Sequence, residues 1–222
     1  MDYVLDLGAV TRHFGPLLEG LWVTIQLTLA ANAMGLVLGF AVALLVLSPV
    51  RLVRLPAVAF VEFFRCTPAI VQIVWFFYCV PMLFNLYLGS MTMGILALGL
   101  NLAAFNGEAY RAAIQAVPRE QRDAAVALGL SPLQSTLHVI LPTALRLAMP
   151  VLLTNGIVIF QQSALVAIVA VPDLMYEAKS LATKTYRPIE TFTLVALVYF
   201  AVSFPVSQVV GWLERRRAVA MA

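Results

Sequence analysis

Polar and ionisable side chains are scarce in this sequence, so the few that interrupt its apolar runs carry whatever chemistry it has. Arg65, Thr67 and Gln72 interrupt one run. Asn101, Asn106, Glu108 and Arg111 interrupt a second, and Gln161, Gln162 and Ser163 a third. None of these sets is a catalytic constellation. His13 and His138 lie outside the runs, no HExxH or GxSxG motif occurs, and no acid pair falls mid-run. Cys66 and Cys79 stand thirteen positions apart. On a helix they point in different directions, so neither a disulfide nor a metal pair is expected. No GxxxxGK[ST] loop is present to hold a nucleotide phosphate. What remains is non-covalent recognition: the amides of Gln72, Asn101 and Asn106 can bind the ammonium or carboxylate of a small solute, or bond helix to helix.

The elements that must hold these residues are membrane spans. Hydrophobic residues make up 62% of the 222-residue chain and charged residues 11%, against about 25% charged in a soluble domain. Mean hydropathy is +0.94. A spanning helix needs roughly 20 mostly apolar residues, and five segments qualify: 20–47, 56–83, 91–115, 147–171 and 191–213. The expected fold is an all-α integral membrane protein, a single domain over 1–222. Met1-Asp2-Tyr3 lacks a basic region, so no cleavable leader is expected. Arginines 51, 54, 111, 119, 122, 146, 215, 216 and 217 collect on one side. The other side has Arg12, Lys179, Lys184 and Arg187. The positive-inside rule makes the first side cytoplasmic, with the N-terminus outside and the C-terminus inside. A net charge of +3 without a basic stripe argues against a nucleic-acid partner.

At membrane depth a polar group is costly and faces the bundle interior or a wet cavity. Arg65, Thr67 and Gln72 are therefore expected beside a solute path, although Glu62 and Arg65, three apart, can also pair at the membrane surface. Glu108 is read as the partner of Arg111. Gly35 and Gly39 form a small-xxx-small pair suited to close helix packing. The aromatic run from Trp75 to Tyr78 is expected to face lipid and the interface.

Residues 118–142 form the one patterned polar segment, and it falls on the cytoplasmic side. Pro118 suits the first turn of a helix and Glu120 its positive end. Asp123, Ala124 and Ala125 continue that helix, and Gly129 supplies a left-handed end. Ser131 then starts a second helix, with Pro132 at its first position and Gln134 completing a capping box. Leu133, Leu137 and Leu141 share one face. Pro142 is expected to let the chain turn into the fourth span. The result is a stiff cytoplasmic elbow, able to receive motion from a soluble partner, or an amphipathic helix resting on headgroups.

This elbow resembles the cytoplasmic signature of ABC importer permeases: Asp123-Ala124-Ala125, Gly129, Val139 and Leu141-Pro142 stand at its spacing, with Asp for Glu and Val for Ile. GLWVTIQLTLAANAMGLVLG, VEFFRCTPAIVQI, GEAYRAAIQAVPREQRDAAVALGLS and SALVAIVAVPDL are similar to segments of the polar amino-acid subgroup, with Cys66 where glycine is usual. The resemblance covers about residues 17–213. It implies a type I importer permease in a bacterial inner membrane, sharing the translocation path with a second permease, identical or homologous. Two separate ATPases would dock on the elbow, with Asp123, Ala124, Ala125, Gly129, Ser131, Leu133, Leu141 and Pro142 as coupling residues. ATP and Mg would sit on those ATPases, this chain carrying no cofactor, and an extracytoplasmic binding protein would deliver the solute.

One departure stands out. Many members of the subgroup carry Lys-Asp where this chain has Gln161-Gln162. Two amides suit a zwitterion without selecting a charged side chain. Glutamine, glutamate, a basic amino acid, an opine and a compatible solute all remain open as substrates. A self-sufficient secondary transporter or channel is the alternative, but five spans do not divide into inverted halves and no internal repeat is present.

Overall fold

The computed structural model describes residue 8 and residues 14–220, with 216–220 described by backbone only. Arg12, His13 and the side chains of Arg216 and Arg217, used above, lie outside the described residues. The described part contains helices and no strand. Four helical stretches are long and apolar enough to cross a membrane, or five if one bent pair counts as a single span.

Helix α1 (Phe14–Val46) begins earlier than the apolar run suggested. Its buried residues Leu27, Ala31, Gly35, Gly39 and Ala43 recur every three or four positions and face the central helix α4 (Ser90–Gln115). A Cβ on Gly39 would lie 2.7 Å from the Cβ of Asn106, so the close approach of α1 requires glycine there. Within lipid such contacts stabilise through van der Waals packing, because lipid chains are as apolar as the buried leucines. Leu98 and Leu102 of α4 meet Leu27, Ile73, Ile159 and Val166 in the main core.

The expected second span, 56–83, is not one helix. It is α2 (Arg51–Cys66) and α3 (Ala69–Phe84), bent by 109° at Thr67-Pro68. Proline excludes helical backbone from the residue before it, and Thr67 is accordingly extended, with φ −109° and ψ 141°.

The elbow opens with α5 (Arg119–Ala127), whose N-cap is Pro118, one position ahead of the expected first turn. Gly129 adopts φ +73°. Its N–H donates to the carbonyl of Val126 and that of Leu130 to Ala125, the paired closure of a Schellman motif. Both halves of the Ser131–Gln134 capping box then start α6 (Pro132–Ser135). The expected turn at Pro142 does not occur. A π turn (Thr136–Ile140) carries the chain straight into α7 (Leu141–Gln162). Pro142 has no N–H for the carbonyl one turn back, and the wider turn falls at that point.

The fourth span also departs from 147–171, since its helix tightens to a 3-10 segment, Ser163–Val169, that ends at left-handed Ala170. A further helix, α8 (Leu174–Thr185), follows before α9 (Pro188–Ala220). The sequence reading did not anticipate α8, which is too short to span.

Candidate functional site

The bend between α2 and α3 exposes backbone carbonyls at the level of Asn101, halfway along α4. Nothing in lipid can satisfy them, so protein must. Gln72, on the first turn of α3, donates Nε2 towards the carbonyls of Phe64 (2.9 Å) and Thr67 (3.1 Å) and to Thr67 Oγ1 (2.7 Å). Asn101 Nδ2 donates to Phe64 O (3.2 Å) and to Gln72 Oε1 (3.0 Å). Gln72 and Asn101 are both 4% exposed. Their donors serve the broken helix, the second of the two roles, solute or helix, that the sequence left open for these amides. Thr67 joins the same network, its hydroxyl donating to Phe63 O.

Arg65, by contrast, points away from this network. It is exposed, and its guanidinium carbon lies 5.8 Å from the centroid of the Phe105 ring. Among the described residues it forms no ion pair with Glu62, which instead accepts from Cys66 Sγ. Arg65 helps line a recess of about 460 Å³ with Phe105, Glu108, Asn155 and small residues of α4 and α7. Glu108 accepts from Arg111 Nε at 2.8 Å, the expected pair. Asn155 donates to Asn106 Oδ1 at 3.0 Å. Asn106 is fully buried with its Nδ2 unpartnered, so it supports Asn155 from behind and does not line the recess itself. The sequence reading passed over Asn155. The same signal that flagged Asn106, an amide deep in an apolar run, would have found it.

The triplet Gln161, Gln162 and Ser163 diverges where α7 tightens. Gln161 is exposed and lines a groove of about 360 Å³ between α7 and α9, beside Thr154, Ser203 and Ser207. Gln162 is half-buried with Oε1 unpartnered, and Ser163 is fully buried, donating to Phe160 O at 2.7 Å. Groove and recess share no lining residue. The polar residues of the three apolar runs therefore serve three places.

The elbow is braced from below. Arg122 Nη2 donates to Ile114 O of α4 (2.7 Å), and Thr143 to Gln121 (3.3 Å). Ala125 is buried, while Asp123, Ala124, Gly129, Ser131 and Pro142 are exposed and Leu141 is half-buried. Val126 (70%), Leu128 (79%) and Leu133 (68%) stand exposed around the glycine turn. A charged, polar segment thus presents an apolar tip, held by two helices and a Schellman turn.

This architecture, an apolar helical bundle with a braced elbow, is that of a binding-protein-dependent transport system inner membrane component. That family matches residues 35–219, and the chain belongs to it. The glutamate/aspartate import permease GltK of Escherichia coli O6:H1 is 33% identical over 223 residues, covering 97% of this chain and 100% of that protein. The arginine permease ArtQ of Haemophilus influenzae is 34% identical over 204 residues, covering 88% and 92%. The probable glutamine permease GlnM of Bacillus subtilis is 32% identical over 212 residues, covering 96% and 98%. A solved amino acid ABC transporter with histidines matches at TM-score 0.89 and 30% identity, over 96% of this chain and 100% of that one. The inward-facing methionine transporter MetNI, at TM-score 0.72 and 22% identity over 89% and 96%, shares the fold. The chain is a multi-pass inner-membrane permease subunit of an ABC importer, working with ATPase subunits and a substrate-binding protein. ATP hydrolysis belongs to those separate subunits.

Proposed function

We propose that this chain is one of two permease subunits, identical or homologous, in an importer of a polar amino acid, driven by two ATPases. The observation that carries the substrate class is the recess at membrane depth. It joins the guanidinium of Arg65, which lies over the Phe105 ring, to the Arg111-paired carboxylate of Glu108 and the amide of Asn155. A cation, an anion and a neutral amide in one recess suit an α-carboxylate and an α-ammonium together. The names of GltK, ArtQ and GlnM, all amino-acid permeases, support the same class.

In this reading the bent pair α2–α3 is the second of five spans, the N-terminus lies outside and the C-terminus in the cytoplasm. Arg65 contacts solute. Thr67, Gln72 and Asn101 hold the bend that presents it, and Asn106 positions Asn155. Gln161 and Gln162 border the path further out, with Ser163 buried behind them, and two amides in place of a charged pair favour a zwitterion with a neutral side chain. The elbow, through Asp123, Ala124, Ala125, Gly129, Ser131, Leu133, Leu141 and Pro142, receives the ATPase.

The test is reconstitution. The chain is co-expressed with the ATPase and binding protein encoded beside it, and the complex is placed in proteoliposomes. ATPase activity and uptake should rise together when liganded binding protein is added. Arg65→Ala should raise KM for uptake about tenfold or more, the scale of one lost charge-assisted contact, with assembly unchanged. Uptake by the chain alone, driven by a proton gradient, would overturn the proposal.

A further inference from the structure

Between the 3-10 segment and α8 lies a carboxyl that the transport reading leaves unused. Asp173 is completely buried. Its Oδ1 caps α8 by accepting from Tyr176 N–H at 2.9 Å, while Oδ2 has no partner. Three hydroxyls gather where α1, the 3-10 segment, α8 and α9 meet. Thr24 Oγ1 accepts from Leu174 N–H at 3.0 Å and donates to Gly20 O. Ser163 donates to Phe160 O. The Tyr199 hydroxyl, with Asp173, Ser163 and Thr24 around it, closes no hydrogen bond and is buried.

A count of protons shows what is missing. Thr24 and Ser163 have each given their only proton to a backbone carbonyl, so both offer lone pairs alone. With Asp173 ionised, Tyr199 supplies the one remaining hydroxyl proton, and Asp173 must keep a charge in a dry site. With Asp173 neutral, no charge is left in the buried site, and its proton meets a cluster whose Thr24 and Ser163 oxygens offer only lone pairs.

The charged neighbours do not offset the burial. On α8 these are half-buried Glu177 and exposed Lys179. On α1 there is exposed Glu19, and on α9 Glu190, already paired with Arg187. The 3-10 segment has no titratable group, and this census covers the described residues. Helix α8 is otherwise held by a small core of Leu17, Leu174, Ala178, Leu181 and Val195, so the cluster sits at its hinge end.

We propose that Asp173 is a proton-binding site at the end of α8 that packs on α1 and α9: the neutral carboxyl is the form that suits the buried cluster and keeps the helix docked, and its ionisation loosens it. Burial pushes the Asp173 carboxyl up to about 6, against the partial opposition of the α8 amides and Lys179. The sign follows from a raised value. The docked form holds the proton more tightly, so docking is strongest in acid. It weakens as pH rises from the ordinary carboxylate range to about 6, and levels off above that. Two pH units of difference correspond to a docking equilibrium shifted on the order of a hundredfold. The compartment whose pH is sensed, the outside, follows from the orientation proposed above, but the titration itself does not depend on it.

The test uses the assembled transporter in lipid. In chains carrying Cys66→Ser and Cys79→Ala, a spin label on Thr183→Cys reports the exposed face of α8. Isotope-edited infrared spectra report carboxylic-acid C=O bands. The expected result is an acid band with a midpoint near 6, absent from Asp173→Asn, and a label that is immobilised in acid and freer above that pH. Asp173→Asn keeps the cap and mimics the neutral form, so its label should stay immobilised throughout. No such band, a label indifferent to pH, or a pH step surviving in Asp173→Asn would each overturn the latch, whatever the uptake assay gives.

Discussion

Pro68 decides what Gln72 and Asn101 do. By ending α2 at Thr67 it frees the carbonyls of Phe64 and Thr67, and the two amides answer them. Substituting Gln72 with leucine removes the donors and leaves buried acceptors unmet, a loss of about 1–3 kcal/mol. Gln72→Leu should lower the thermal midpoint of the purified complex by several degrees. Under the same conditions Arg65→Ala should leave the midpoint unchanged and alter KM. A Gln72→Leu complex of normal stability would return that residue to the solute path. The sequence showed these residues to be polar at depth, and nothing in their spacing distinguished a ligand from a carbonyl cap. The difference lay in Phe64 O, brought within reach from 37 positions before Asn101.

At the level of elements, the elbow was the most legible part of the chain. Gly129 as a left-handed C′ residue and Ser131–Gln134 as a capping box are short-range chemistry, and both are present. No atom lies within 4 Å of where a Cβ on Gly129 would stand. A side chain there meets no clash, only the cost of positive φ, about 1–2 kcal/mol. Gly129→Val should therefore distort the turn, tilt Val126, Leu128 and Leu133, and lower ATPase stimulation by binding protein severalfold while membrane insertion stays normal. Wild-type coupling in that variant would make the segment a mere connector. The π turn before Pro142 was not legible, since a proline at the start of a span reads equally as a turn or as a first-turn residue. Continuity with α7 gives the elbow a helical shaft through which the proposed ATPase contact would act.

At the scale of the whole molecule, the spans are unequally enclosed. In its most apolar window α4 is 61% buried, α1 22% and α9 11%. One central helix is wrapped by neighbours, and the outer helices leave long apolar faces to lipid and to other subunits. The proposed orientation predicts labelling from defined sides. In cells expressing the Cys66→Ser, Cys79→Ala chain, a membrane-impermeant maleimide should modify Lys184→Cys from outside. Gln134→Cys should react only after permeabilisation. The reverse pattern would invert the topology and the assignment of the elbow to the cytoplasm.

The amino-acid sequence by itself determined the features that depend on near neighbours or on the solvent. Apolar length placed four of the long helices but read the bent pair α2–α3 as one span, and Gly129 and Ser131 set the elbow's corner. Only the tertiary structure decided how the polar residues divide. Gln72 and Asn101 went to a broken helix, Arg65 and Asn155 to a recess, and Asp173 to a buried cluster with Tyr199. In a membrane a buried polar atom without a partner is costly, and which partner it can reach is decided by which helices touch. That information resides in the packing of α1, α4 and α7 and in no local stretch of the chain.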